Sequence, residues 1–83
     1  MDKEGEYAVK QFNVKFVWTG DDKIWYATCS ELKITLEEGS FDVLAFRMKL
    51  AIQEVAAIEL KITGNIQINY EIERFDVIEA VAV

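Results

Sequence analysis

Histidine and proline are both absent from this 83-residue sequence, and cysteine occurs once, as Cys29. Without histidine, the chain lacks the commonest general base, the commonest zinc ligand and the usual pH switch near neutrality. A single cysteine excludes a disulfide within the chain and any cluster of cysteine metal ligands from one chain. We therefore predict no catalytic residue, no metal site and no cofactor.

Positive charge is also scarce, with nine Lys and Arg against 15 Asp and Glu and a formal net charge of −6. Binding to nucleic acid normally needs a basic face that neutralises phosphates, so we expect no direct contact with DNA or RNA. An acidic protein of this size suits a basic protein partner. The charge is explained equally well as a device that keeps the domain in solution.

Long apolar runs are missing, since none approaches the roughly 20 residues needed to cross a bilayer. Residues 1–6 are mostly charged and precede no apolar stretch of the signal-peptide type. We therefore expect a cytoplasmic protein that does not contact membranes.

What the sequence does contain is apolar and aromatic: 52% of its residues are hydrophobic, including two Trp, three Tyr and five Phe. Such a composition rules against disorder, and the length corresponds to one domain of marginal stability. We expect a flexible N-terminal arm over residues 1–8, an α+β domain over 9–74 and an apolar tail over 75–83.

Alternation of apolar and polar residues predicts several strands. One face of residues 11–18 is strongly apolar, as is one face of residues 66–73, and both patterns indicate strands covered on one side. After the polar turn at 19–23, residues 24–29 are typical of the returning strand of a hairpin. A third, shorter strand is expected at 34–36.

Between the third and last strands, the spacing of apolar residues changes to that of a helix. Ser40 is a good N-cap, and the charge of Asp42 in the first turn favours the helix dipole. A single apolar stripe then continues to about Leu60, formed by Phe41, Leu44, Ala45, Met48, Ala51, Ile52 and Val55. Phe46 and Leu50 fall outside this stripe and are either packed at the flank of the sheet or exposed.

The predicted order is β-β-β-α-β, an α+β fold in which one long helix packs on one face of a mostly antiparallel sheet. The opposite face of the sheet would carry Asn13, Lys15, Tyr26 and Thr28, because Ala27 suits close approach of the helix. We take these four residues as a candidate contact surface for a protein partner.

Residues 75–83 are unusually apolar and are consistent with a short strand, a last helical turn or an arm. Left exposed, such a segment is an aggregation hazard, so it either folds back on its own sheet or is buried in an oligomer. We favour self-association, with Phe75, Val77 and Ile78 in contact with a second copy to give a homodimer.

Other candidates for chemistry have simpler explanations. The acidic pairs at 21–22 and 37–38 fit solvated turn and strand positions rather than converging carboxylates. Cys29 ends a buried strand without a histidine partner and is typical of a small apolar filler. Trp18 and Trp25 flank the first turn, where they would form an aromatic pair across the hairpin rather than stack a nucleobase.

Two segments carry a resemblance to a known family. The run Phe16-Val17-Trp18, a short acidic turn and then Ile24-Trp25-Tyr26-Ala27-Thr28-Cys29 resembles that family's paired strands, which end in an Ala-Thr-Ser run. Residues 34–40, ITLEEGS, are similar to the segment that leads into its helix. Together they resemble the HicB-like antitoxin superfamily, most closely its stand-alone branch, domain-of-unknown-function family 1902, over roughly residues 11–73.

The resemblance implies the same β-β-β-α-β fold and a role in binding protein rather than in catalysis. In complete antitoxins of this superfamily, the corresponding domain binds and blocks a small basic ribonuclease toxin, and a separate C-terminal domain binds DNA. The sequence departs from the family at residues 31–33, where a Pro-Gly turn is usual, and we expect no DNA-reading module after Glu73.

Two rival interpretations remain open from the sequence. One is a structural or regulatory domain that only self-associates, through residues 75–83. The other is a degenerate hydrolase-like domain that uses acidic residues, in which an added divalent metal should raise the melting temperature.

Overall fold

The structure is a computed structural model, and it describes residues 10–82. Four strands and one helix follow one another in the order β-β-β-α-β. They are β1 (Lys10–Thr19), β2 (Ile24–Cys29), β3 (Ile34–Glu38), α1 (Phe41–Glu59) and β4 (Ile66–Glu73). The predicted α+β class and element order are confirmed. The expected N-terminal arm, residues 1–8, lies outside the described residues.

The strands form one mixed sheet in the order β3-β2-β1-β4. The hairpin pairs β1 with β2 antiparallel, and β2 pairs with β3 in the same sense. β4 returns beside β1 and runs parallel to it, with Phe12 opposite Ile68 and Asn13 opposite Asn69. Two of the three pairings are antiparallel, and the helix supplies the long crossover that a parallel neighbour needs.

One face of the sheet is buried under α1. Strand residues of alternating position, such as Phe12, Val14, Phe16 and Ala27, are at most 2% exposed. They pack against Leu44, Met48, Ile52 and Ala56 of the helix, which are equally buried. The apolar side chains that alternate along the strands and those that share one side of the helix therefore form a single core. Burial of this apolar surface is the main force that stabilises the fold.

The helix begins where its cap chemistry predicts. The side chain of Ser40 accepts a hydrogen bond from the backbone N–H of Val43 at 3.4 Å, and Asp42 lies in the first turn. At the other end, the backbone N–H groups of Leu60 and Ile62 both donate to the carbonyl of Ala56. The predicted extent of the helix is therefore confirmed to within a residue.

The helix does not cover the whole inner face. It packs closest to β2 and β3, so the inward side chains of β4 are only partly buried. Tyr70 is 41% exposed and Ile72 is 55% exposed, although Tyr70 stacks on Phe16 with ring centroids 5.1 Å apart. The apolar face of β4 is thus left with room for further packing.

Candidate protein-binding surfaces

The four residues predicted as a contact surface lie together on the outer face of the sheet, opposite the helix. Lys15 is paired in register with Thr28, and Tyr26 is paired with Val17 two residues further along β1. Asn13, Lys15 and Thr28 are exposed, while Tyr26 is half-buried. Trp25, Ala27 and Cys29, which alternate with the outward residues along β2, are buried in the core on the other face of the sheet.

A network of amide side chains crosses this face between β1 and β4. The Nδ2 group of Asn69 donates to Oε1 of Gln11 and to Oδ1 of Asn13, both at 3.2 Å. Gln67 donates from Nε2 to Oδ1 of Asn69 at 2.8 Å. We call Gln11, Asn13, Gln67 and Asn69 the amide ladder. Its members hold one another in place and therefore present donors and acceptors in a fixed arrangement.

Glu31 extends the amide ladder at the end of the hairpin. Its carboxylate accepts from the backbone N–H of Asn13 at 3.2 Å and from Nδ2 of the same residue at 3.3 Å. Asn13 lies beyond the end of β2, where β1 has no partner strand on that side within residues 10–82. The Glu31 side chain, from the β2–β3 turn, therefore supplies the acceptor that a neighbouring strand would supply. This contact has no local signal in the sequence, since Glu31 is 18 residues from Asn13.

Carboxylates dominate the charge of the outer face. The registers place Glu71 beside Lys15, Glu73 beside Val17 and Glu37 beside Tyr26. Lys15 is the only cation among the outward side chains of the four described strands, and its Nζ lies 3.9 Å from a carboxylate oxygen of Glu73. Together with Glu31, these residues make the face negative beside the amide ladder.

Cys29 is a core residue rather than a reactive one. Its side chain is fully buried, and the thiol donates a weak hydrogen bond to Oε1 of Glu31 at 3.7 Å. Burial, with the nearby Glu31 carboxylate as a smaller cause, raises the pKa of the Cys29 thiol. The thiolate, which is the nucleophilic form, is therefore disfavoured.

The two tryptophans pair across the hairpin as predicted. Trp18 lies opposite Trp25 in register, with ring centroids 5.3 Å apart and tilted by 51°. Trp25 belongs to the core, where its ring meets Phe41 edge-on, and the guanidinium of Arg74 lies over the ring of Trp18. Both rings are thus occupied by contacts within the chain.

The segment that follows β4, whose described part is residues 74–82, is extended and exposed. It has no helix or strand, and Phe75, Val77 and Ile78 are 59%, 83% and 86% exposed. Of the conformations considered for residues 75–83, the structure shows an arm up to residue 82. We call residues 75–82 the C-terminal arm.

A further apolar strip lies on the solvent side of α1. Val43, Phe46 and Leu50 are 46%, 60% and 50% exposed, so the two residues that fell outside the predicted stripe are exposed rather than packed at the sheet's flank. At the helical repeat of 3.6 residues, these three side chains share one side of the helix, opposite the core. We call them the outer helix strip.

Residues 10–82 contain no cluster of three or more acidic, cysteine or histidine side chains that could hold a metal ion. Over the same residues, no helix combines the length and hydropathy required to span a membrane. Comparison with models of protein families, with curated proteins and with solved structures gave no match.

Proposed function

We propose that this chain is a non-catalytic protein-binding module whose outer sheet face binds a small basic protein. The observation that carries the proposal is the composition of that face. The amide ladder offers fixed hydrogen-bonding groups, Glu31 is bonded to it, and Glu37, Glu71 and Glu73 add negative charge further along the strands. Complementary charge steers a basic partner to such a surface and selects it over acidic competitors.

The kind of partner follows from the resemblance to HicB-like antitoxins. That resemblance implies a small basic ribonuclease toxin, and the β-β-β-α-β order found here is the one that such a domain would have. The cytoplasm is the compartment that we propose for the interaction, in keeping with a single reduced thiol, Cys29.

The proposal is tested by isolating the tagged protein from its own host and identifying by mass spectrometry what accompanies it. Wild type should retain a small basic protein in equal amount, and purified wild type should inhibit it if it has ribonuclease activity. The Thr28→Arg variant should lose that protein, because it places a cation at the centre of the binding face. Thr63→Arg makes the same change in the loop after the helix and should retain it.

A partner that is lost equally from both arginine variants, or retained equally by both, would show that the outer face is not the binding surface. Recovery of no second protein with wild type would favour the rival function, a structural or regulatory domain that only self-associates. The observation in favour of that rival is the exposed C-terminal arm.

A further inference from the structure

A groove of about 560 Å³ with an apolar floor and a partly polar rim runs between α1 and β4. Its floor is formed by Ile66, Ile68 and Tyr70, and its wall on the helix side includes Lys49 and Gln53. It lies on the inner face of the sheet, away from the proposed binding face for a basic protein. Lys49 is the only charged side chain that lines it within residues 10–82.

The groove and the C-terminal arm of the same chain lie at opposite ends of β4. The groove is bounded by residues 64–70, where the strand begins. The arm leaves from the other end of the strand and passes the β1–β2 turn, where Phe75, Asp76 and Val77 face Thr19 and Gly20 across a second depression of about 390 Å³. At about 3.3 Å per residue, Ile68 and Phe75 are separated by roughly 23 Å of extended chain.

The arm is poorly equipped to reverse direction and reach its own groove. From Asn65 to the end of the sequence there is neither glycine nor proline, the residues that most often permit a tight reversal. Arg74 is held by the ring of Trp18, 5.3 Å from its guanidinium carbon, and by Asp76 at 3.7 Å. These contacts hold the start of the arm beside the end of β1, and the apolar side chains that follow it remain exposed, so they need cover from another molecule.

We propose that the C-terminal arm of one copy binds in the α1–β4 groove of a second copy. The floor of the groove and most side chains of the arm are apolar, and the charges of the two surfaces are complementary. The arm carries Asp76 and Glu79 as its only charged side chains, whereas the groove offers Lys49. Phe75 and Val77 of an extended arm repeat at the same spacing as Ile66, Ile68 and Tyr70 on the floor.

The backbone of β4 supports the same arrangement. β4 is an edge strand, since in the described part of the chain it pairs only with β1. An arriving arm can add its own N–H and C=O groups to that open edge while its side chains fill the groove, which is the β-augmentation mode of binding. When two copies exchange arms reciprocally, both grooves are filled and the assembly closes as a symmetric dimer.

Disulfide trapping between two single-site variants tests where the arm binds. Val77→Cys is mixed with Gln53→Cys, each with a tag of different length, and the heterodimer formed on mild oxidation is measured. Parallel mixtures pair Val77→Cys with Leu50→Cys on the outer helix strip or with Thr28→Cys on the outer sheet face. All four positions are exposed, so these changes should leave the fold intact, and wild type controls for the buried Cys29.

The groove pair should form several-fold more heterodimer than either other pair. Preferential trapping at Leu50 or Thr28 would overturn the proposal and assign the arm to that other surface. Purified chain alone is used, so the result does not depend on whether a basic partner exists.

Solution mass gives a second test that does not rely on cross-linking. Wild type should sediment with the mass of two chains, and both Val77→Asp and Lys49→Glu should shift it toward one. Lys33→Glu changes the net charge by the same amount as Lys49→Glu but lies in the β2–β3 turn, and it should leave the mass unchanged. A wild-type protein that stays at the mass of one chain at all concentrations would also overturn the proposal.

Discussion

Lys23, Lys33 and Lys61 adopt positive φ angles of 57°, 58° and 57°, in the region that residues with a Cβ atom usually avoid. Each lies at a boundary: two precede a strand and one follows the helix. The left-handed conformation costs roughly 1 kcal/mol for a residue other than glycine. At residues 31–33, where the family that the sequence resembles usually has a Pro-Gly turn, the chain therefore makes its turn with a strained lysine.

Replacing Lys33 by glycine should stabilise the protein. Glycine adopts positive φ without the steric penalty, and we expect the free energy of unfolding to rise by roughly 0.5–1 kcal/mol after its greater entropy in the unfolded chain is deducted. Urea denaturation measures the change. Lys33→Ala removes the same side chain but retains a Cβ atom, so a gain in that variant as well would contradict the explanation.

Cys29 makes stability dependent on pH at the alkaline end. Because burial raises the pKa of its thiol in the folded state, the folded protein holds this proton more tightly than the unfolded chain does. The contribution to stability is thus fully present below the ordinary thiol pKa of about 8.5 and is lost as pH rises above it.

The free energy of unfolding, measured with denaturant from neutral to alkaline pH, should therefore fall less steeply with pH in Cys29→Ala than in wild type. Titrating lysines and tyrosines are common to both proteins, so the difference between them isolates the thiol. Equal slopes would mean that the buried thiol does not contribute.

The helix has two apolar sides, one buried in the core and one exposed to solvent. Leu44 is fully buried in the core, whereas Leu50 in the outer helix strip is 50% exposed. The spacing of apolar residues predicted the buried side well, because the core imposes helical periodicity on it. The sequence left Phe46 and Leu50 undecided, because periodicity alone does not show how far the sheet reaches around a helix.

Leu44→Ala should lower the free energy of unfolding by about 2–5 kcal/mol, through lost burial and the cavity left behind. Leu50→Ala makes the same chemical change on the same helix and should have an effect of less than about 1 kcal/mol, since little buried surface is lost. Thermal and urea unfolding of the two variants measure the contrast. Similar losses in both would mean that the outer helix strip is covered in solution.

The sheet contains contacts that the local sequence pattern does not predict. Alternation identified β1 and β4, and the small side chain of Ala27, which suits close approach of the helix, correctly predicted that Tyr26 and Thr28 face outward. The opposite orientation would bury polar groups and expose Trp25 and Cys29. Pairing between distant strands has no such local signal. The amide ladder depends on Asn13 meeting Asn69 across 56 residues, and the contact with Glu31 depends on the shape of a turn.

The outer sheet face and the α1–β4 groove lie on opposite sides of the sheet. The proposed basic partner and a second copy would therefore not compete for the same surface. Substitutions in the arm or the groove should therefore abolish self-association and leave partner binding intact. Substitutions in the outer sheet face should have the opposite effect.

Binding of a basic protein to the negative outer face is best tested by measuring the affinity of the captured partner for purified variants. We predict that Thr28→Arg weakens binding at least about tenfold, a loss of roughly 1.4 kcal/mol. Val77→Asp in the arm should bind as wild type does, and wild-type affinity should fall as salt is raised. Unchanged affinity in Thr28→Arg, together with loss in Val77→Asp, would contradict binding at the outer face and assign the partner to the arm.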